Sequence, residues 1–293
     1  AFRDRTDDGG YVFTRDLFLA ASFAALVYAL IVMTNGAATT IGAAAIGFVY
    51  LLGQRLRNWP VLPWAMVAAA IFVAGRIAWE PTIVGVDHLG TTPVFNALLA
   101  GYGIPSLLLI VSAWILRDNS DDRIRSVMQA LASLFTLLTL GILVRHAMNG
   151  GVLNDAVPTL GEQAIYTLLT VGASATLMAI DLRRPSIVFR TGSMAVGYIS
   201  MISVIAAHYV GLNPYFTGEM TGKIPFFNLL FLAYLLPGLA YAAAAWFARY
   251  RRPLHYVIGL ALTASSLLFA YVTLSVRRLF HGEGIADWKG FLQ

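Results

Sequence analysis

A band of polar side chains sits near the ends of long apolar runs: Arg76, Asn96, Tyr102, Arg145 and Asp155 in the first half, and His208, Asn228, Tyr234, Arg277 and Asp287 in the second. Asp87 and Glu219 fall in the same zone. Each half therefore offers a cation, a carboxamide, a phenol and carboxylates at one depth. Such a set could grip an anionic or sugar-bearing group, a lipid headgroup or a glycan, because the planar guanidinium donates two parallel hydrogen bonds to phosphate or carboxylate. A purely structural use of the same residues stands beside this one. Arg145 and Arg277 lie within about a turn of a run's end, where a long side chain snorkels to the headgroups. Arg76 and Glu80 are four apart, a spacing that pairs charges on one helix face. Asn96 follows Pro93 closely enough to satisfy free backbone amides at a helix start.

Little else in the chain could react. The middle of every apolar run is free of Asp, Glu, Lys, Arg and His, which argues against a proton- or sodium-coupled carrier. There is no Walker lysine motif, HExxH or GxSxG. The five histidines, His88, His146, His208, His255 and His281, have no metal-ligand spacing, and cysteine is absent. No catalytic residue, metal or cofactor is assigned on this basis.

The elements that must position the band are membrane helices. Hydrophobic residues make up 58% of the 293 and charged ones only 12%, about half the charge of a soluble domain. The runs are long enough to cross a bilayer as helix and lack the alternation of a membrane barrel. Nine spans are predicted: 17–34, 37–53, 61–79, 93–116, 124–148, 161–181, 187–210, 225–248 and 254–280. The fold class is all-α, a polytopic transmembrane bundle. Span 37–53, with Gly42, Gly47 and the alanines between them, is suited to close packing. Pro105 and Pro237 fall inside spans, where each frees the carbonyl four residues earlier and kinks the helix.

The formal charge of +5 does not point to nucleic acid, because the basic residues cluster at span ends. Links 54–60, 117–125, 181–190 and 249–252 are rich in arginine and alternate with poorer ones, placing them and the N-terminus in the cytoplasm. Trp114 and Trp246, three residues before Arg117 and Arg249, read as anchors at that interface.

The chain also repeats itself. At an offset of 132 and with no gap, Pro93, Phe95, Asn96, Tyr102, Pro105, Trp114, Arg117, Arg145, Gly150 and Asp155 fall on Pro225, Phe227, Asn228, Tyr234, Pro237, Trp246, Arg249, Arg277, Gly282 and Asp287. Chance matches between apolar helices would be leucine and alanine, so a duplication is expected. The period spans four helices, an even number, so both copies face the same way. The implied segments are 1–58, holding a cytoplasmic stretch and two helices of a preceding unit; 59–184, one four-helix repeat; and 185–293, a second with three helices. On this phasing the chain reads as cut from a longer array.

The stretches VFNALLAGYGIP, LLTLGILVRHAMNGG, FFNLLFLAYLLP and YVTLSVRRLFHGEG resemble a bacterial multi-pass family catalogued as domain of unknown function 2339. The resemblance implies an inner-membrane protein and carries no reaction. Three functions stay open. One is a non-catalytic scaffold or accessory subunit in envelope assembly. The second is a transporter or flippase for a lipid or glycan, with the kinked helices lining a path. The third is an enzyme on lipid-linked sugars using His146 or His281 with Asp155 or Asp287. The first leads, because no reactive constellation is seen. Expected partners are membrane lipids and, through apolar helix faces, another protein or a second copy; nucleic acid is not among them.

Overall fold

The computed structural model describes residues 9–85, 88–154 and 157–286. Within them the chain is helical, and no strand occurs among the described residues. Among the described residues eight helices are long and apolar enough to cross a membrane, and Leu99–Ile115 is a shorter apolar one. The protein is an all-α, multi-pass membrane protein. Its helices group into two compact units, Ala1–Leu153 and Asn154–Gln293.

The first unit holds α1 (Gly9–Met33), α2 (Gly36–Gly53), α3 (Leu62–Trp79), α4 (Ile104–Ile115) and α5 (Asp122–Met148). Its core runs from Ala43 and Met66 through Tyr102 and Leu109 to Met128 and Phe135. The small residues of α2 bring neighbours close, as the sequence suggests. A Cβ on Gly47 would stand 2.6 Å from the Ala69 Cβ, and one on Gly42 2.7 Å from a Leu30 methyl. Helix α1 is the outlier: of its 25 residues only Val27 is buried.

The second unit holds α6 (Leu160–Arg183), α7 (Ile187–Ser203), the single turn α8 (Pro214–Thr217), α9 (Leu236–Ala248) and α10 (Leu254–His281). Its core is built on Leu160, Val171, Tyr234, Tyr241, Tyr256 and Leu267. Compaction thus sets α6 with the helices after it, whereas the sequence phasing sets 161–181 with those before.

Two local features differ from the sequence reading. The span predicted from 93 becomes helical only after Asn96, because Val94 is held at φ 65°, a conformation costly for a β-branched residue and incompatible with helix. Ahead of each internal proline the chain forms a π-helical turn, Leu99–Gly103 and Phe231–Leu235. A third π segment, Val204–Gly211, extends α7 with no proline to mark it.

Candidate functional site

The rim of the first unit is where α3 and α5 end and α4 begins. Asn96 caps the start of the helical run that leads through the Leu99–Gly103 π turn into α4, its Oδ1 accepting from the Leu98 and Leu99 amides at 3.0 and 3.3 Å. Its Nδ2 donates to the Thr92 carbonyl at 3.1 Å and to His146 Nδ1, also at 3.1 Å. With Nδ1 accepting, His146 Nε2 donates to the Gly90 carbonyl at 3.0 Å. Both nitrogens of this fully buried ring are spent holding a loop. Arg145 donates from Nε to the Leu153 carbonyl at 3.3 Å. Tyr102, also buried, donates to the Pro81 carbonyl at 2.7 Å.

In the second unit, Asn228 caps in the same way, its Oδ1 accepting from the Phe231 amide at 3.0 Å. Arg277 donates from Nε to the Ile285 carbonyl at 2.7 Å and lies over the Tyr215 ring at 4.8 Å. Tyr234 donates to the His208 carbonyl at 2.7 Å, and the two rings meet edge to face. Thus His208 and Tyr234 are brought together directly. Arg278, which stands where the first half has His146, donates from Nη2 to the Gly222 carbonyl at 2.6 Å and from Nε to Thr221 Oγ1 at 3.0 Å. Gly222 lies 132 residues after Gly90, the carbonyl that His146 holds. Both glycines need positive φ, 67° and 93°, where L side chains are strained. Asp87, Asp155 and Asp287 lie outside the described residues.

The expected Arg76–Glu80 pair does not form. Glu80 turns instead to the hydroxyl of Thr82. Among the described residues Arg76 reaches only the Gly36 carbonyl, at 3.4 Å, and its buried Nε has no hydrogen-bond partner.

Sequence reasoning missed a polar seam inside the second unit. Gln163 Nε2 donates to Ser203 Oγ at 2.7 Å, and Thr167 Oγ1 meets His208 Nε2 at 2.9 Å. Deeper in, Ser200 Oγ is shared by Thr170 Oγ1 at 2.7 Å and the Tyr241 hydroxyl at 2.6 Å. Next, Ser174 Oγ joins the Tyr256 hydroxyl and the Ser193 carbonyl, both at 2.7 Å. The seam ends on a buried ion pair, Arg252 Nη2 to Asp181 Oδ2 at 2.9 Å. At the offset of 132 the first half has Ala68, Leu109 and Ile124 where the second has Ser200, Tyr241 and Tyr256. That contrast was the available signal. Hydroxyls between helices act as directional fasteners in a membrane, each worth about 0.6 kcal/mol.

Glu219, in the loop before the second rim, accepts from the Leu160 amide at 3.4 Å. Burial raises its carboxyl above the ordinary range, and that amide draws it partly back. Among the described residues no group of His, Asp or Glu could hold a metal ion.

A family model described as "Predicted membrane protein (DUF2339)" matches residues 3–292. No curated protein matches, and no solved structure matches.

Proposed function

Because the chain belongs to the DUF2339 family of predicted membrane proteins, we propose that it serves as a non-catalytic scaffold or accessory subunit of envelope assembly in the bacterial inner membrane, with its N-terminus in the cytoplasm. The observation that carries this reading is the use to which the rim side chains are put. Asn96, Tyr102, Arg145 and His146 bond to the first unit's own backbone and to one another, and Asn228, Tyr234, Arg277 and Arg278 bond likewise in the second. Groups committed in this way fix loops. What the protein then offers its surroundings is helical surface, above all α1, whose Phe13, Leu17, Phe18, Leu26, Tyr28 and Val32 are exposed.

The two units are proposed to hold tandem copies of one four-helix block, α2–α5 in the first and α6, α7, α9 and α10 in the second, with both rims extracytoplasmic. Matched hydrogen bonds support this: Arg145 to Leu153 and Arg277 to Ile285, His146 to Gly90 and Arg278 to Gly222. Arg117 over Trp114 at 4.4 Å and Arg249 over Trp246 at 5.4 Å support a cytoplasmic interface at the opposite end.

A photo-crosslinking residue at Leu26 tests the subunit role in intact cells. The expected result is a protein adduct of discrete mass that is absent when the same residue is placed at buried Val27. Lipid adducts alone at Leu26 would contradict it.

A further inference from the structure

We propose that the first unit carries a binding site for an anionic lipid headgroup at the outer end of α3, centred on Arg76. The inference goes beyond a subunit role and does not rest on it. Phe72, Gly75, Arg76, Trp79 and Glu80 line a groove of about 340 Å³ that opens to the side. Its chemistry is graded along the helix axis. Phe72 and the bare backbone of Gly75, whose added Cβ would meet nothing within 4 Å, form the apolar part of the lining. One turn on stands the Arg76 guanidinium, and beyond it Trp79, 91% exposed, a residue type that settles at headgroup level.

Among the described residues Arg76 makes no ion pair. Glu80, four residues on, is turned to Thr82, and the single hydrogen bond from Arg76 to Gly36 is long. A guanidinium left unpaired at a membrane interface is costly and is satisfied best by a bidentate anion. An amphiphile with a phosphate above and acyl chains below matches both ends of the groove.

The second unit serves as an internal control. At the offset of 132, Phe72, Arg76 and Trp79 become Val204, His208 and Gly211. Val204 and His208 are fully buried, and His208 is engaged by Thr167 and Tyr234. The same helix position is therefore filled from within in one unit and left open in the other. The bundle does not require a cation there.

The test uses the full chain in detergent, titrated with phosphatidylglycerol or phosphatidylcholine brominated near the headgroup end of the acyl chains. Quenching at Trp79 is read as wild type minus Trp79→Phe. Half-quenching should need roughly fivefold less phosphatidylglycerol than phosphatidylcholine, the ratio one basic residue gives at a membrane surface. Arg76→Gln should abolish the preference and Arg76→Lys should keep part of it, with unchanged melting temperatures showing that both variants fold. Equal quenching by the two lipids, or a preference that survives Arg76→Gln, would overturn the proposal. So would inorganic phosphate displacing both lipids alike, which would mark a site for the free anion.

Discussion

Arg252→Met is the sharpest perturbation of the second unit. The Arg252 Nη2 lies 2.9 Å from Asp181 Oδ2, with side-chain exposures of 4% and 3%. The Ser186 amide donates to Asp181 Oδ1 at 3.0 Å, and Arg252 also reaches Ser193 Oγ at 3.1 Å. Removing the arginine leaves a carboxylate that is only 3% exposed without its main partner, which costs about 3–5 kcal/mol. Arg190 offsets a little of this, since its Nε stands 3.7 Å from Asp181 and its side chain is 56% exposed. The expected loss is therefore near the lower bound, about 3 kcal/mol. Asp181→Leu together with Arg252→Met removes both charges and strands only the neutral Ser186 and Ser193 groups. That double variant should lie within about 1–2 kcal/mol of wild type. Unfolding in mixed micelles, followed by circular dichroism, measures each corner of the cycle. A single variant costing under about 1 kcal/mol, or a double variant costing the sum of the two singles, would refute the reasoning, since additivity means the groups do not interact.

Tyr102→Phe and Tyr234→Phe each delete one buried hydrogen bond to a backbone carbonyl and should each cost about 1–3 kcal/mol by the same unfolding measurement; a neutral outcome at either would show that the hydroxyl does not hold the turn. Arg145→Ala combined with Arg277→Ala should leave membrane insertion intact, since both sit in the last turns of their helices; fractionation that finds the variant outside the membrane would contradict this. Burial makes the folded protein bind the Glu219 proton more tightly than the unfolded chain does. The resulting stabilisation is complete below the ordinary carboxylate range and is lost as pH rises through the raised value. The melting-temperature difference, wild type minus Glu219→Gln, should therefore decline as pH rises through and above the ordinary carboxylate range, and a flat or rising difference would exclude the burial argument.

The helices were legible because span length and charge at span ends are properties of composition. Predicted spans 37–53, 61–79, 124–148 and 254–280 match α2, α3, α5 and α10 to within two residues. The late start after Asn96 was not legible, because it depends on a left-handed Val94 that no propensity predicts. The prolines announced a disturbance but not its form: a π turn rather than a bare kink. At the rim, residue types suggested a grip on an outside ligand, and in the fold Asn96, His146 and Arg278 also hold loop carbonyls. Spacing along one chain cannot distinguish these, since both demand a donor beside an acceptor at a helix end. The polar seam escaped notice because single serines, threonines and tyrosines are ordinary in apolar helices. Only comparison of Leu109 with Tyr241 and of Ile124 with Tyr256 brings it out.

The central claim is that both units present matching rims on the same, extracytoplasmic side. The chain has no cysteine, so single replacements report without background. Thr91→Cys and Lys223→Cys, an offset pair in the two rim loops, should both react with a membrane-impermeant maleimide in intact spheroplasts, while Asn119→Cys and Arg251→Cys react only after lysis. Labelling of Thr91→Cys and Lys223→Cys from opposite sides of the membrane would contradict the account.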